Sequence, residues 1–418
     1  CIIDDDCIKL VSHQIAFDTP PIHSDGCSEQ DPNIWLEKLD HLITKVSRAL
    51  QDLNNAYQIK AIAIDGTSST LIACKKDGTP LSPALMYNDQ QSWRQAEMIS
   101  RFAPTQSAVH GASSSLAKAL LLLERYPATE IFCHQADWLT ASLTGQYNIS
   151  DENNCLKLGY DSITQSWPGW LQNNGENTTI PVELLPQVVS PGTRIGKVKS
   201  SFIKKYQLDE DCHMVAGTTD SNAAVLATGA GKIGDAVTSL GSTLVLKLFS
   251  DKPIFNPEYG IYSHRLNGHW LVGGASNSGG KVLLQQFTQK QLEKMTPLLK
   301  PEQPTGLSYY PLPDIGERFP VNDSNKTSNI DPRPESDLTY FQGLLEGIAS
   351  IEADGYKKLH ALGTPAAQRI FTTGGGNKNS AWKIIRERMT GIKVIDAIHH
   401  EASYGSALLA KKGFKSSE

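Results

Sequence analysis

Val-Ala-Gly-Thr-Thr-Asp-Ser at 215–221 is the stretch that decides how this chain folds. It predicts an apolar strand that delivers one carboxylate, Asp220, into a turn of small residues. Further along, Val-Thr-Ser-Leu-Gly-Ser-Thr at 237–243 predicts a second strand that opens into a Gly-Ser-Thr turn. A lone carboxylate beside such a turn suits phosphoryl transfer, because there the protein mainly positions groups and offsets charge while one carboxylate accepts the acceptor's proton.

The composition is that of an ordinary globular protein. Its 418 residues allow more than one domain, and 39% of them are hydrophobic and 20% charged. The formal net charge of −5 gives no electrostatic signature of a nucleic-acid or anionic-membrane ligand. The seven cysteines are odd in number, scattered and never spaced Cys-x-x-Cys, which favours free thiols in a reducing compartment. We therefore expect a cytoplasmic protein (plastid stroma for a plant or alga) that binds neither nucleic acid nor membrane.

The order of the elements indicates an α/β fold made of two similar halves. In the first half, a helix precedes the strand Ala61–Ile64, which is apolar on both faces and ends in Asp65-Gly66-Thr67-Ser68. In the second half, a strand–turn–strand over 236–249 is followed later by the strand Arg369–Thr373, which leads into Gly374-Gly375-Gly376. The first half begins at what would be the second strand of this plan, so we expect it to lack one strand and its turn.

Two roles fit Asp220, and the residues alone do not choose between them. It can be a general base that accepts a proton from a substrate hydroxyl. It can also be a helix N-cap, because the segment after it, Ser221–Leu226, looks helical and Asp is a favoured cap. The two roles are compatible if Ser221 or Thr219 caps the helix while Asp220 faces a cleft.

Three turns of small residues are candidates for binding an anion. Gly241-Ser242-Thr243 could surround a phosphate with backbone N–H groups and hydroxyls, or it could be a plain hairpin turn. Gly374-Gly375-Gly376 lies between an apolar strand and a predicted helix, which favours close approach of a ligand to the backbone, with a purely structural role as the alternative. Gly273–Gly280 is the third turn, and it could equally be a tight packing contact.

Other polar stretches give weaker signals. Asp65–Thr70 offers hydroxyls at a strand end, which a polyol would use, although a turn that satisfies its own hydrogen bonds fits equally well. Tyr87-Asn88-Asp89 and Lys118 are also candidates, for which we expect a solvated surface position. Gly229–Gly234 matches Gly-x-Gly-x-x-Gly, but it follows a helical pattern and precedes a strand, so it predicts a helix C-cap rather than a dinucleotide site.

Taken together, these motifs resemble the FGGY carbohydrate kinases, the sugar kinases of the actin-like ATPase superfamily. Within that family the chain is most similar to the plant and cyanobacterial D-ribulose kinases, which are xylulose kinase-like. The matching stretches follow in order along nearly the whole chain: Ile62–Ser68, His134–Leu139, Leu156–Tyr160, Ala216–Ser221, Ala236–Leu248, Gly273–Gly280, Gly316–Pro320 and Gly374–Asn379.

The resemblance implies two actin-like (ribonuclease H-like) α/β lobes, each with a mixed sheet flanked by helices, around a cleft. We expect an N-terminal, sugar-binding lobe over 1–228, completed by a C-terminal helix at 400–418, and a nucleotide-binding lobe over 229–399. The resemblance also implies ATP and Mg²⁺ as cofactors, without assigning a metal ligand. We expect a monomer or homodimer that binds a small pentulose.

The resemblance assigns roles residue by residue. Asp220 is the base that activates the sugar hydroxyl, and Ser68 and Ser221 hold the ketopentose together with it. The nucleotide-binding roles fall to two turns and a helix start: Gly241, Ser242 and Thr243 along the phosphates, and Gly374, Gly375, Gly376, Asn379 and Trp382 around the nucleoside.

The predicted activity is ATP-dependent phosphorylation of D-ribulose to D-ribulose 5-phosphate. The alternatives are D-xylulose or another polyol as the substrate, a non-catalytic nucleotide- or sugar-binding protein, and an actin- or chaperone-type ATPase module. Members of the family begin with a strand ending in Asp-x-Gly-Thr-Ser, and this chain starts after the place where that segment would stand. We therefore expect a truncated kinase that is weakly active or inactive.

Overall fold

The computed structural model describes residues 1–53, 57–172 and 180–415. It divides into two compact units, one formed by Cys1–Ala227 with Glu401–Glu418 and the other by Thr228–His400. Helices and strands alternate along both units, so the expected α/β class is confirmed. No helix in the described ranges is long and apolar enough to cross a membrane.

The strands of the first unit are short and form small, separate sheets with the orders β1-β2, β3-β6-β5-β7, β8-β9 and β10-β11-β4. Their bounds are β1 (Ile2–Ile3), β2 (Lys9–Val11), β3 (Glu29–Gln30), β4 (Ala61–Ala63), β5 (Leu71–Cys74), β6 (Ala84–Leu85), β7 (Ile131–His134), β8 (Ile149–Asp151), β9 (Gln187–Val189), β10 (Arg194–Lys197) and β11 (His213–Val215).

The helices of the first unit cover these sheets. Their bounds are α1 (Pro32–Gln51), α2 (Trp93–Ser100), α3 (Ser115–Arg125), α4 (Gln135–Thr144), α5 (Glu152–Cys155), α6 (Gly169–Gln172), α7 (Ser200–Tyr206), α8 (Asp220–Ala227) and, after the second unit, α13 (Ala402–Lys415). Helix α1 shows why they form: Asp31 accepts a hydrogen bond from the Asn33 amide, and Pro32 occupies the first helical position, where its missing N–H costs nothing. One face of α1 then buries Trp35 and Ile43 in the core.

The second unit is built on one six-stranded sheet with the order β14-β15-β13-β12-β16-β17. Its strands are β12 (Asp235–Leu240), β13 (Leu244–Ser250), β14 (Tyr262–Leu266), β15 (His269–Ser276), β16 (Arg369–Thr373) and β17 (Lys393–Asp396). The helices are α9 (Gly280–Gln286), α10 (Gln289–Met295), α11 (Asp337–Ala361) and α12 (Ser380–Thr390). Helix α11 is buried along most of its length, and it forms a core with the sheet and α12.

The two units differ in how their corresponding strands pair. In the second unit, β12 pairs with β13 on one side and with β16 on the other. In the first unit, the β1–β2 hairpin is a sheet of its own, and β4 pairs only with β11 among the residues that the structure describes.

Candidate active site

The ends of two parallel strands bring the Asp65 loop and Asp220 together in the first unit. Strand β4 pairs with β11 in parallel, so their carboxyl ends lie at one edge of the sheet. The pairing continues beyond the strands, because the Gly66 amide donates to the Thr218 carbonyl (3.3 Å) and the Asp220 amide donates to the Gly66 carbonyl (2.8 Å). Asp220 therefore has a fixed position beside the loop that begins at Asp65.

Gly217 makes this close approach possible. A Cβ atom at Gly217 would lie 1.9 Å from the carbonyl oxygen of Ile64, closer than any side chain permits. The glycine in the quoted stretch is thus required by packing between the two strand ends, which the sequence pattern alone did not reveal.

Asp220 is the first residue of α8, and the preceding residue, Thr219, occupies the N-cap position. The Thr219 carbonyl accepts hydrogen bonds from the amides of Asn222 (3.0 Å) and Ala223 (2.9 Å). The Asp220 side chain is partly exposed, and its Oδ1 accepts a hydrogen bond from the Ser221 amide (2.6 Å). Because this carboxylate sits at a helix start and reaches solvent, its position is compatible with proton acceptance and with a favourable interaction with the helix dipole.

The loop that carries Ser68 is held in place from several sides. Thr67 donates from its amide (2.9 Å) and its hydroxyl (3.0 Å) to Oε1 of Gln135, at the start of α4. The Thr67 and Thr70 hydroxyls are 2.6 Å apart. Ser68 itself is half-buried and Ser221 is exposed, so neither residue is closed off from solvent.

Asp65 has a role that the sequence analysis did not assign. Its Oδ2 accepts a hydrogen bond of 2.6 Å from the Ser406 hydroxyl on α13. Burial raises the pKa of the Asp65 carboxyl, and the hydrogen bond from Ser406 opposes that rise. The Asp-Gly-Thr-Ser run drew attention to this loop. It could not indicate the contact, because the hydrogen-bond partner of Asp65 lies 341 residues away in the sequence.

Two of the weaker candidates do not lie where we expected. Lys118 and Asp89 are both fully buried rather than solvated, whereas Tyr87 is exposed. The prediction for Lys118 and Asp89 was wrong because their polar atoms find partners inside the protein: Lys118 donates to the Ser69 carbonyl, and Asp89 accepts from the Ser28 amide.

In the second unit, the two predicted glycine turns also follow adjacent parallel strands. Strands β12 and β16 pair in parallel with Ser239 opposite Thr373, so Gly241–Thr243 and Gly374–Gly376 leave the sheet at the same edge. The φ angle of Gly374 is +84°, and a Cβ atom there would lie 2.6 Å from the carbonyl oxygen of Leu240. Only glycine fits this position without strain.

The Gly241–Thr243 turn rests against the start of α9. The Gly280 amide donates to the Gly241 carbonyl (2.8 Å), and the Lys281 amide donates to the Ser242 carbonyl (3.2 Å). These hydrogen bonds hold the Gly241 and Ser242 carbonyls against the first turn of α9. Ser242 is exposed, so its hydroxyl and the outer face of the turn remain accessible to a ligand.

Asn379 and Trp382 support the triple-glycine turn from within. The Asn379 side chain accepts from the Trp382 amide (2.9 Å) as the N-cap of α12, and it donates to the Thr296 hydroxyl (3.3 Å). Trp382 is 2% exposed and its Nε1 donates to the Leu345 carbonyl (3.2 Å). The expectation that Trp382 borders a nucleoside is therefore corrected: its ring packs beneath Gly376 in the core and is not on the surface of the turn.

A buried ion pair lies under the two turns. Arg386 on α12 contacts Glu352 on α11 through Nε (2.6 Å) and Nη2 (2.7 Å), and both side chains are 1% exposed. Thr238 on β12 donates to Glu352 (2.5 Å), and Nη1 of Arg386 donates to Thr372 on β16 (2.7 Å). The network ties both strands that carry the glycine turns to the same two helices.

The proposed sugar site in the first unit has few carboxylates that could bind a divalent metal. No group of three or more His, Cys, Asp or Glu side chains able to hold a metal occurs in the described ranges. Mg²⁺ commonly binds through one or two carboxylates together with substrate phosphates. Asp65, whose Oδ2 accepts from Ser406, and the partly exposed Asp220 are the carboxylates of the paired segments that would take part in such an arrangement.

Comparisons with known proteins cover both units. Family models describe the FGGY family of carbohydrate kinases, with its N-terminal domain matching residues 2–227 and its C-terminal domain matching residues 236–413. The xylulose kinase of Lactococcus lactis subsp. lactis is 24% identical over 397 residues, which are 89% of this chain and 76% of that protein. The xylulose kinase of Escherichia coli (strain K12) is 22% identical over 386 residues, 87% of this chain and 77% of that protein.

Solved structures show the same fold. A xyloylose kinase from Brucella ovis matches with a TM-score of 0.87 at 22% identity, over 100% of this chain and 88% of that one. Plasmodium falciparum glycerol kinase with ADP matches with a TM-score of 0.83 at 20% identity, over 98% of this chain and 86% of that one. With both domain models matched in order along the sequence, this chain belongs to the FGGY family of carbohydrate kinases.

Proposed function

We propose that this sugar kinase transfers the γ-phosphoryl group of ATP to the terminal hydroxyl of a ketopentose, with D-ribulose as the substrate and D-ribulose 5-phosphate as the product. The observation that supports this most is the position of Asp220. It is a partly exposed carboxylate at a helix start, held against a loop of hydroxyl side chains by backbone hydrogen bonds. A sugar needs hydroxyl and carboxylate partners, and its reacting oxygen needs a proton acceptor.

In the proposed reaction, Asp220 takes the proton of the sugar hydroxyl through its carboxylate. The sugar oxygen forms the new bond to the γ-phosphorus as the bond to the bridging oxygen of ATP breaks, and ADP leaves with that electron pair. Ser68 and Ser221 orient the sugar: Ser221 follows Asp220 directly, and Ser68 belongs to the loop whose Gly66 accepts from the Asp220 amide. Holding the reacting oxygen in line is itself a large part of the catalysis in phosphoryl transfer.

The second unit is proposed to bind the nucleotide. The exposed outer face of Gly241–Thr243 offers N–H groups and hydroxyls to phosphate oxygens. Gly374 and Gly375 allow the nucleoside to approach the backbone closely, while Asn379 shapes that turn as the cap of α12. Mg²⁺, held by phosphates with Asp65 or Asp220, would supply positive charge against the phosphate oxygens.

D-xylulose is the second candidate substrate. The relatives described above are named xylulose kinases, and the family match applies equally to either pentulose. The two sugars differ in the configuration at one carbon, so the discrimination depends on the hydroxyl partners in the first unit. Rates with D-ribulose and D-xylulose at equal concentrations separate the two candidates.

The test of the general proposal is sugar-stimulated ADP release by the wild-type protein and by Asp220→Asn. The variant keeps an oxygen that can accept the Ser221 amide, and it removes the proton acceptor. We expect turnover to fall by about 10²-fold or more while ADP binding is unchanged. Asp211→Asn is a matched control in the same unit, since Asp211 is 75% exposed and pairs only with Lys197 in the described ion pairs.

Three results would contradict the proposal. ATP hydrolysis that is independent of sugar would favour an ATPase module. Binding of sugar and nucleotide without turnover in the wild-type protein would favour a non-catalytic binding protein. Full activity in Asp220→Asn would remove Asp220 from its role.

A further inference from the structure

Lys118 is a buried cation that the proposed reaction leaves unexplained. It lies on α3 with a side chain that is 0% exposed. Its Nζ donates to the backbone carbonyls of Ser69 (2.8 Å) and Met86 (2.7 Å). Among the described residues, no carboxylate lies within ion-pair distance of this nitrogen. Asp89 supplies the favourable charge from farther away.

A buried ammonium group of this kind is costly. Removing the charge from water disfavours it, and burial lowers the pKa of Lys118 to about 7. A methionine would fill the same volume without that cost. The feature that a methionine could not provide is the pair of N–H donors aimed at two carbonyls from different segments.

One of those segments is the loop of the proposed sugar site. Ser69 follows Ser68 directly and has a φ angle of +66°, a left-handed conformation that a serine adopts at a cost. Ser69 is 1% exposed, and its hydroxyl has no hydrogen-bond partner in the structure. The Ser69 side chain therefore does not stabilise this conformation, whereas the hydrogen bond from Lys118 to the Ser69 carbonyl does, beside the contacts that Thr67 makes with Gln135.

The other segment is the end of β6. The Met86 carbonyl accepts from Lys118 and also from the Asp89 amide (2.9 Å). Asp89 in turn accepts from the Ser28 amide (2.7 Å), so this segment is anchored to the rest of the sheet. Lys118 thus connects a strained loop to a rigid part of the unit.

From these contacts we propose that Lys118 is a positioning residue for the sugar: it holds the Asp65–Thr70 loop in its binding conformation by fixing the Ser69 carbonyl against Met86. Lys118 does not touch the substrate, because it is fully buried. The inference rests on the proposed function for its effect on the sugar, whereas its effect on the loop is independent of any activity.

The experiment compares Lys118→Met, which removes both donors, with Lys118→Gln, which keeps two N–H donors without charge. Lys199→Met is the matched control, because Lys199 in the same unit donates to a backbone carbonyl, that of Ser142 (3.0 Å), away from the loop. Hydrogen–deuterium exchange of the peptide covering 65–70 is measured first, without ligands. The KM values for pentulose and for ATP follow.

We expect faster exchange of the 65–70 peptide in Lys118→Met, with the pentulose KM raised about tenfold or more and the ATP KM within about twofold of wild type. Lys118→Gln should restore only part of the protection and of the sugar affinity, because its amide keeps N–H donors on a side chain that is one bond shorter. If Lys118→Met does not fold, Lys118→Gln carries the test: a folded protein whose 65–70 peptide exchanges faster than in the wild type supports the proposal, and wild-type exchange of that peptide overturns it.

The proposal is overturned if Lys118→Met folds and leaves both the loop exchange and the pentulose KM as in Lys199→Met. It is also overturned if the pentulose and ATP KM values rise together, since that indicates a general loss of structure. If the wild-type protein phosphorylates no pentulose, the proposed function fails, and the exchange measurement still decides whether Lys118 holds the loop.

Discussion

Ser406 donates a hydrogen bond of 2.6 Å to Asp65, and so connects the last helix of the chain to the loop at the proposed sugar site. Helix α13 packs tightly in this region, because a Cβ atom at Gly405 would lie 1.8 Å from the Ala223 carbonyl of α8. The same helix thus contacts both the Asp65 loop and the helix that begins at Asp220. Helix α13 therefore helps to hold the proposed sugar site in place.

Replacing Ser406 by alanine should destabilise the protein by about 1–3 kcal/mol where Asp65 is ionised, because it removes the hydroxyl that donates to this half-buried carboxylate. The folded-state pKa of Asp65 is already raised, and the substitution raises it further. For an acid with a raised folded pKa, stability is greatest below the unfolded pKa and is lost as the pH rises through the folded one. The deficit should therefore shrink as the pH falls and Asp65 becomes protonated.

Urea denaturation of the wild type and Ser406→Ala between pH 4 and 8 measures this difference. Ser406→Thr serves as the control, since it keeps the hydroxyl. An equal deficit at every pH would show that the substitution acts through packing of α13 and not through Asp65.

The local parts of the fold could be predicted from the sequence, because they depend on neighbouring residues. The strand before Asp65, the strand before Asp220 and the turn at Gly241 all follow from apolar runs that end in small polar residues. The parts that sequence reasoning missed depend on distant partners. Ser406 meets Asp65 only through the packing of α13, and nothing near Ser406 in the sequence indicates a carboxylate.

Burial explains the remaining differences between the sequence and the structure. A tryptophan beside a glycine turn fits a nucleoside platform as well as a core position, and the sequence cannot tell which side of the turn the ring occupies. Trp382 lies on the inner side. A lysine on a helix is normally solvated, but the ammonium of Lys118 faces inward toward two carbonyls.

The buried lysine predicts a pH dependence of stability. The pKa of Lys118 is lowered to about 7 in the folded state, chiefly by burial, with Asp89 opposing the effect and Lys157 adding to it. The unfolded chain binds the proton more strongly, so the free energy of unfolding should rise with pH above 7, by up to about 1.4 kcal/mol per pH unit. Lys118→Met should flatten this slope between pH 7 and 9.

Urea denaturation at several pH values in that window measures both slopes. The control Lys199→Met should keep the wild-type slope, since Lys199 is exposed. A slope that is the same in all three proteins would show that Lys118 remains protonated through the window.

The Arg386–Glu352 pair predicts an asymmetry between single and double substitutions. Arg386→Met leaves the Glu352 carboxylate buried without its cation, and we expect a loss of about 3–5 kcal/mol. The double variant Arg386→Met with Glu352→Met removes both charges and should recover much of that loss. Chemical denaturation measures the coupling, and a double variant as unstable as the sum of the single ones would contradict it.

Adjacent glycines in the second unit allow the binding and folding roles of the triple-glycine turn to be separated. Gly374→Ala places a Cβ atom 2.6 Å from the Leu240 carbonyl at a φ angle of +84°, so it should lower the stability of the unit by about 1–3 kcal/mol. A Cβ atom at Gly375 would meet nothing within 4 Å, and the φ angle of Gly375 is not in the left-handed region that disfavours a side chain. Gly375→Ala should therefore leave the melting temperature unchanged.

If the nucleoside lies against this backbone, the added methyl group of Gly375→Ala meets the ligand instead of the protein. We then expect an ADP Kd raised about tenfold, by the loss of about 1.4 kcal/mol of binding free energy, with no change in the pentulose Kd. Calorimetric titration of the purified variant with ADP and with pentulose measures both. An unchanged ADP Kd would place the nucleoside elsewhere and leave Gly374 with a purely structural role.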